Sequence, residues 1–154
     1  MLKRLKNEKG WSFAFSTCFL VIIIAFCLVF IIDVCSLMIA KLELDEACDQ
    51  AVRCVQLNGK VDENMELIID NTIGLNSKVE SISYTVTPAE ENGYVKNSDG
   101  CETAIQLGTA FTITLKAKVS LGGYLDMDGV SMYLTAQSVG VSEVYWKGAT
   151  EVGD

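Results

Sequence analysis

The chain has 154 residues, half of them apolar, carries a net charge of −8 and contains no histidine. That length allows one modest domain beside any membrane segment. Without histidine, Ser-His-Asp and Cys-His catalysis and the commonest metal ligand are removed, and the acidic balance argues against nucleic-acid binding, which needs a basic footprint.

Charge is distributed asymmetrically. Residues 1–10 carry Lys3, Arg4, Lys6 and Lys9 against Glu8, a net +3, whereas the remainder carries 8 basic and 19 acidic side chains, a net −11. The first ten residues therefore read as a basic cytoplasmic leader. Trp11 to Ile32 is an apolar run of 22 residues. As a helix it would be about 33 Å long, enough for a hydrocarbon core of about 30 Å. The span is assigned to residues 11–33, with Asp33 at the outer boundary, where its carboxylate reaches the headgroups. Basic residues flanking one end hold that end in the cytoplasm. The expected localisation is thus the cell membrane, single-pass, with a cytoplasmic N-terminus and an extracytoplasmic C-terminal domain. The run exceeds the 7–15 apolar residues of a cleaved signal core, and Met38 stands where a cleavage site before Ala40 would want a small residue. A retained anchor is expected.

Residues 34–58 continue as an amphipathic helix. Leu37, Ala40, Leu44, Ala47, Cys48, Ala51 and Val55 form a stripe at spacings of three and four, opposite Lys41, Glu43, Asp45, Glu46, Asp49, Gln50 and Arg53. Asn58-Gly59 is the expected stop, because Gly tolerates the left-handed conformation at the helix end. The stripe and Asp33 are the candidate packing and assembly residues: part must face the protein's own sheet, and any remainder would face other helices.

Residues 59–154 form the head. Asp62 is expected to cap a short second helix with Met65, Ile68, Ile69 and Ile73 on one face, and Gly74 ends or bends it. The period then switches to two. Ile82, Tyr84 and Val86 alternate with Ser81, Ser83, Thr85 and Thr87 until Pro88 closes the strand. Residues 89–103 read as an exposed loop or irregular hairpin. A second strand sends Phe111, Ile113, Leu115, Ala117, Val119 and Leu121 one way and Thr112, Thr114, Lys116, Lys118 and Ser120 the other, and Gly122-Gly123 breaks it. A third alternates Val130, Met132, Leu134 and Ala136 with Ser131, Tyr133, Thr135 and Gln137. Clean alternation implies an antiparallel sheet with one dry and one wet face. The expected fold class is α+β: a long N-terminal helix, half transmembrane and half amphipathic, a short second helix, and a three-stranded antiparallel sheet packed on the long helix.

Elements of a reactive site are missing. There is no Cys-x-x-Cys pair and no Walker-type or dinucleotide glycine loop. The expectation is a protein that is not an enzyme, with no catalytic residues, no metal site, no cofactor and no small-molecule substrate. Asp126-Met127-Asp128-Gly129 holds only a fragment of a calcium loop and reads as a turn, as does Asn97-Ser98-Asp99-Gly100. Of six cysteines, Cys18, Cys27 and Cys35 lie in or beside the span. Cys48 and Cys54, six apart on one helix, sit about 240° around it and cannot pair with each other. A bridge from Cys101 to one of them, or three reduced thiols, remain open readings.

Lys9-Gly10 before the apolar helix, then Phe30-Ile31-Ile32-Asp33-Val34, then Leu44-Asp45-Glu46-Ala47-Cys48-Asp49-Gln50-Ala51-Val52-Arg53, resembles the N-terminal region of pseudopilins of the tight-adherence (Tad, type IVb pilus) system. The tail Ser142-Glu143-Val144-Tyr145-Trp146-Lys147 is similar to the end of an uncharacterised group of small pseudopilin-like proteins. The resemblance covers about a third of the chain plus this tail. It implies a structural role in a pilus-type or related secretion assembly, with other pilin-like subunits or assembly platform proteins and the membrane as partners. It also implies prepilin-type cleavage between Gly10 and Trp11. Phe15 then occupies the fifth mature position, where the family carries glutamate, which suits a minor or initiating subunit or an unprocessed relative. The alternative reading is a membrane-tethered extracytoplasmic binding module, an adhesin or sensor head using the 89–103 loop or the wet sheet face.

Overall fold

A computed structural model describes residues 2–73, 79–89, 94–96, 103–121, 130–147 and 150–151. Gly74, Glu90 to Gly93, Asn97 to Cys101, Gly122-Gly123 and Asp126 to Gly129 lie outside the described residues, and with them the helix end, the turns, the strand break and the Cys101 bridge expected there. The chain divides into two units, residues 1–36 and 37–154.

The first unit is helical throughout its described length, as part of α1, Leu2–Asn58. The helix begins earlier than the apolar run. Residues 2–9 contain good helix formers and no breaker, and a single Gly10 costs only about 1 kcal/mol inside a helix. From Trp11 to Ile32 the large apolar side chains stand exposed around the whole circumference, Trp11 at 73%, Phe13 at 76% and Phe26 at 66%. A helix apolar on all sides requires a nonaqueous surrounding. This helix, near the N-terminus, is long and apolar enough to cross a membrane. Two of its hydroxyls are satisfied locally: Thr17 Oγ1 donates to Phe13 O at 2.9 Å and Ser36 Oγ to Ile32 O at 2.9 Å.

The second unit is α+β. The later part of α1 and α2, Glu63–Ile73, cover one face of a three-stranded antiparallel sheet. Its strands, in the order β1-β4-β5, are β1, Val79–Pro88, β4, Ala110–Leu121, and β5, Val130–Val141. Leu115 of the central strand sits opposite Tyr84 and Ala136. Phe111, Ile113, Leu115, Ala117 and Val119 turn inward and are buried, meeting Leu44, Ala47, Cys48, Ala51 and Val55 of α1 and Met65, Ile69 and Ile73 of α2. Each large apolar side chain so enclosed contributes about 1.5–3 kcal/mol. The inward face is uneven at its edges, where Tyr84 and Met132 each keep 38% of their surface exposed.

A second small sheet stands where an exposed loop or irregular hairpin was expected. β2, Tyr94–Lys96, pairs antiparallel with β3, Ala104–Ile105, and lies between it and β6, Thr150–Glu151. Strands of two and three residues are too short to show a period, so the sequence pattern could not announce them. Ala104 and Ile105 are nevertheless fully buried.

Candidate functional site

The amphipathic stripe is consumed by the protein's own core. Ala40, Leu44, Ala47, Ala51 and Val55 are each at most 2% exposed, and Leu37 packs at the margin of the same cluster. The small alanines let the helix approach the sheet closely. At Gly140 of β5 a Cβ would fall 2.6 Å from Val52 Cγ1 and 2.8 Å from Phe111 Cζ. Asp33, assigned to the span boundary, is half-buried. Gly10 and Trp11, the candidate cleavage pair, both lie within α1, and the Trp11 ring is exposed.

On the opposite side of the same helix, Met38, Ile39 and Leu42 are 53–68% exposed. Beyond Leu42 that side turns polar with Glu46, Asp49, Gln50 and Arg53. Lys41 lies between helix and sheet edge, donating to Asp45 Oδ1 at 2.5 Å and to the carbonyl of Thr135 at 2.7 Å. That second bond covers part of the unpaired edge of β5, the kind of edge that otherwise recruits foreign strands.

The tail Ser142–Lys147, which in the sequence stands out by resemblance alone, has a definite structural task. α1 ends at Asn58, and Gly59 after it, with a φ of 64° and an N–H bond to Val55 O at 2.8 Å, makes a left-handed helix cap. The freed carbonyls are taken by distant segments. Gln56 O accepts from Glu143 N at 3.1 Å, and Gly59 O accepts from Ile105 N at 2.7 Å and from Trp146 Nε1 at 3.0 Å. Gln106 closes the clamp, its Oε1 accepting from Trp146 N at 2.7 Å and its Nε2 donating to Trp146 O at 3.1 Å. Buried Ser142 donates to Ile105 O at 2.8 Å. These long-range partners carry no local sequence signal.

The second helix begins where expected, but Asp62 does not cap it through its side chain. Its Oδ2 accepts from Asn64 Nδ2 at 3.0 Å and faces Lys60 Nζ at 3.9 Å, while its Oδ1 is buried without a hydrogen bond. Between α2 and β1, Glu66, Ile69, Asp70, Ile82 and Tyr84 line a shallow cleft, in which the Tyr84 hydroxyl donates to Glu66. Its volume of about 170 Å³ falls below the roughly 300 Å³ at which small-molecule pockets begin.

Two thiols are packed in the head, while Cys18, Cys27 and Cys35 are exposed. Cys48 is buried and donates to Ile113 O at 3.4 Å, and burial, then Asp49, raises its pKa above the usual 9.0. Cys54, half-buried, accepts from Asn58 Nδ2 at 3.3 Å and is raised by burial and then by Asp62. A thiol held protonated is a poor nucleophile and a poor metal ligand. Cys18, Cys27, Cys35, Cys48 and Cys54 are all free. Among the described residues, no group of three or more Cys, Asp or Glu side chains could hold a metal ion.

The outer face of the large sheet is open and largely polar, with Val139, 65% exposed, beside Thr112. Across the strands, Ser81 stands beside Lys118 and Tyr133, Ser83 beside Lys116 and Thr135, and Thr85 beside Thr114 and Gln137. Lys118 pairs with Glu80 at 2.5 Å, whose hydrogen bond and charge raise the lysine's pKa.

No curated protein matches the chain, and no solved structure does. A family description matches residues 21–147, which takes in most of α1, the sheet and the tail through Lys147. The chain belongs to that family, DUF4320, a domain of unknown function.

Proposed function

We propose that the protein is a structural, pseudopilin-like minor component of a Tad or type IV pilus-type or related secretion assembly. It is anchored by one transmembrane helix, with its N-terminus in the cytoplasm and its acidic head outside. The observation that carries this reading is that a single helix, α1, supplies both the apolar segment and the packed spine of the α+β head. Residues 11–32 have no cover of their own, and residues 40–55 have complete cover along the stripe. A subunit built this way can be extracted from or held in a bilayer by one end without disturbing the fold of the other. The basic residues before Trp11 support the orientation. Because the head's own sheet covers the alanine stripe, contacts between subunits fall to the apolar circumference of residues 11–32 and to Met38, Ile39 and Leu42.

The test is the intact mass of the protein extracted from its native membrane, together with the proteins that co-purify with it. Loss of residues 1–10 and co-purification of other pilin-like subunits or platform proteins is the expected result. A full-length chain that co-purifies with none of them would remove the assembly role. Protease added to intact cells should remove the head, and a head digested only after lysis would reverse the orientation.

A further inference from the structure

The two edges of the large sheet are finished differently. Natural sheets blunt a free edge with charge, proline or a bulge, because unpaired N–H and C=O groups recruit other strands. β1 carries all three: Glu80, Pro88 and a register shift between Val79 and Ser81. The Tyr94 hydroxyl also donates to Val86 O at 2.8 Å. β5 carries none of them. Its residues include no charge and no proline, and its register with β4 is unbroken from Val130 to Val141. Backbone groups of every second strand residue share a side. Thr135 O faces away from β4, toward Lys41, so Tyr133, Gln137, Val139 and Val141 turn their N–H and C=O groups to the free edge. Among the described residues, the Lys41 ammonium is the one group bonded to that edge. The same strand exposes apolar side chains, Tyr133 at 72%, Val139 at 65% and Val141 at 44%.

We propose that the β5 edge is a docking site for an extended segment of a different protein, which joins the sheet as a further strand beside β5. A strand is the partner whose own N–H and C=O groups repeat at the spacing of that edge. The open run from Tyr133 to Val141 is about 30 Å long at the usual rise per strand residue. The visiting segment is uncharged or basic, and its alternate side chains are apolar, falling beside Tyr133, Val139 and Val141 on the outer face. A second copy of the chain fits poorly. Residues 37–154 carry 18 acidic and 8 basic side chains, so two heads set edge to edge repel each other. Lys41 reaches Thr135, and Gln56 O accepts from Glu143 N, so α1 runs alongside β5 in the same direction. Antiparallel pairing of two β5 strands would therefore set two α1 helices in opposite directions, which chains inserted alike in one membrane do not allow. The blunted β1 edge closes the other route, β5 of one copy against β1 of the next. This choice of occupant rests on the membrane-anchored reading. Lys41 is no permanent block, because it also pairs with Asp45 at 2.5 Å and keeps that partner when it releases Thr135 O.

The probe is a fluorescein-labelled peptide with the sequence of residues 130–141 and a lysine added at each end. It is titrated with the full chain in detergent micelles and read by fluorescence anisotropy. Saturable binding is expected, since a free peptide, unlike an anchored copy, can lie along the edge in either direction. Val139→Pro removes one outward N–H, leaves the bonds to β4 in place, and should weaken binding by about tenfold. Gln137→Ala keeps the backbone and should leave binding within about twofold. The same peptide N-methylated along its central residues should not bind. In native membranes, p-benzoylphenylalanine in place of Gln137 should cross-link the chain to a different protein, and Val139→Pro should abolish that adduct. No peptide binding, equal binding of the N-methylated peptide, no adduct, or an adduct with a second copy would overturn the proposal. Thermal melts show whether Val139→Pro keeps the fold, and the N-methylated peptide tests the edge without altering the chain. Failure here leaves the assembly role standing, because that role is decided by intact mass and co-purification.

Discussion

The indole Nε1 of Trp146 donates to the carbonyl oxygen of Gly59 at 3.0 Å, tying the tail to the helix end 87 positions earlier in the chain. Gly59 O also receives Ile105 N at 2.7 Å, so losing the indole does not orphan the acceptor. Trp146→Phe should therefore cost only about 1 kcal/mol, the net worth of one hydrogen bond. Gln106→Ala leaves both Trp146 N and Trp146 O without their partners and should cost more, about 1–3 kcal/mol for each group. Thermal melts of the two variants in detergent should rank Gln106→Ala below Trp146→Phe. The reverse order would mean that ring packing, and not the glutamine bridge, holds the tail.

Two glycines with positive φ should respond differently to alanine. Gly59 has φ 64° and no room, since a Cβ would meet Val144 Cβ at 2.5 Å. Gly108 has φ 82° and nothing within 4 Å. Gly108→Ala carries the conformational penalty alone, about 1–2 kcal/mol, whereas Gly59→Ala adds an overpacking cost of about 1–3 kcal/mol. Equal melting temperatures for the two variants would show that the tail yields at Val144 without loss.

The periodic parts of this fold were legible in the sequence. Period two across residues 111–119 and the three-and-four spacing from Ala40 to Val55 each marked a face, and those faces meet in the core. The helix stop at Asn58-Gly59 was legible because one residue type tolerates its backbone conformation. What stayed hidden depends on distance. Gln106, Ser142 and Trp146 act through partners 37 to 87 residues away, and β2, β3 and β6 are too short to establish a period. The fate of the alanine stripe was hidden as well, because the same pattern suits a sheet or a neighbouring helix.

That ambiguity yields a prediction. Ala47 and Ala51 are fully buried beneath the sheet, so Ala47→Leu or Ala51→Leu should overpack the head and lower its stability by about 1–3 kcal/mol in the purified chain, with no partner present. Met38→Gln and Leu42→Gln, at positions 64% and 68% exposed, should leave the melt within about 0.5 kcal/mol of the parent. If assembly partners bind at Met38 and Leu42, their co-purification falls in the glutamine variants while the melt holds. A melt unchanged in both alanine variants would show that the stripe is not enclosed.

Alkaline pH should destabilise the head. Cys48 and Cys54 are raised above 9.0 chiefly by burial, Tyr94 above 10.0 by burial, and Tyr84 above 10.0 chiefly by its hydrogen bond to Glu66. A raised pKa means that the folded state keeps its proton where the unfolded state has lost it. The native state then binds more protons, and stability falls as pH rises. The window opens near pH 9.0, where unfolded thiols ionise. Melting temperatures should be flat from about pH 7 to 8.5 and decline above about 9, the region set by thiol ionisation. Cys48→Ala starts lower, having lost a packed side chain, but should decline less steeply between about pH 9 and 10, where thiols ionise ahead of the tyrosines. An unchanged slope in Cys48→Ala would place the alkaline sensitivity elsewhere than the buried thiol.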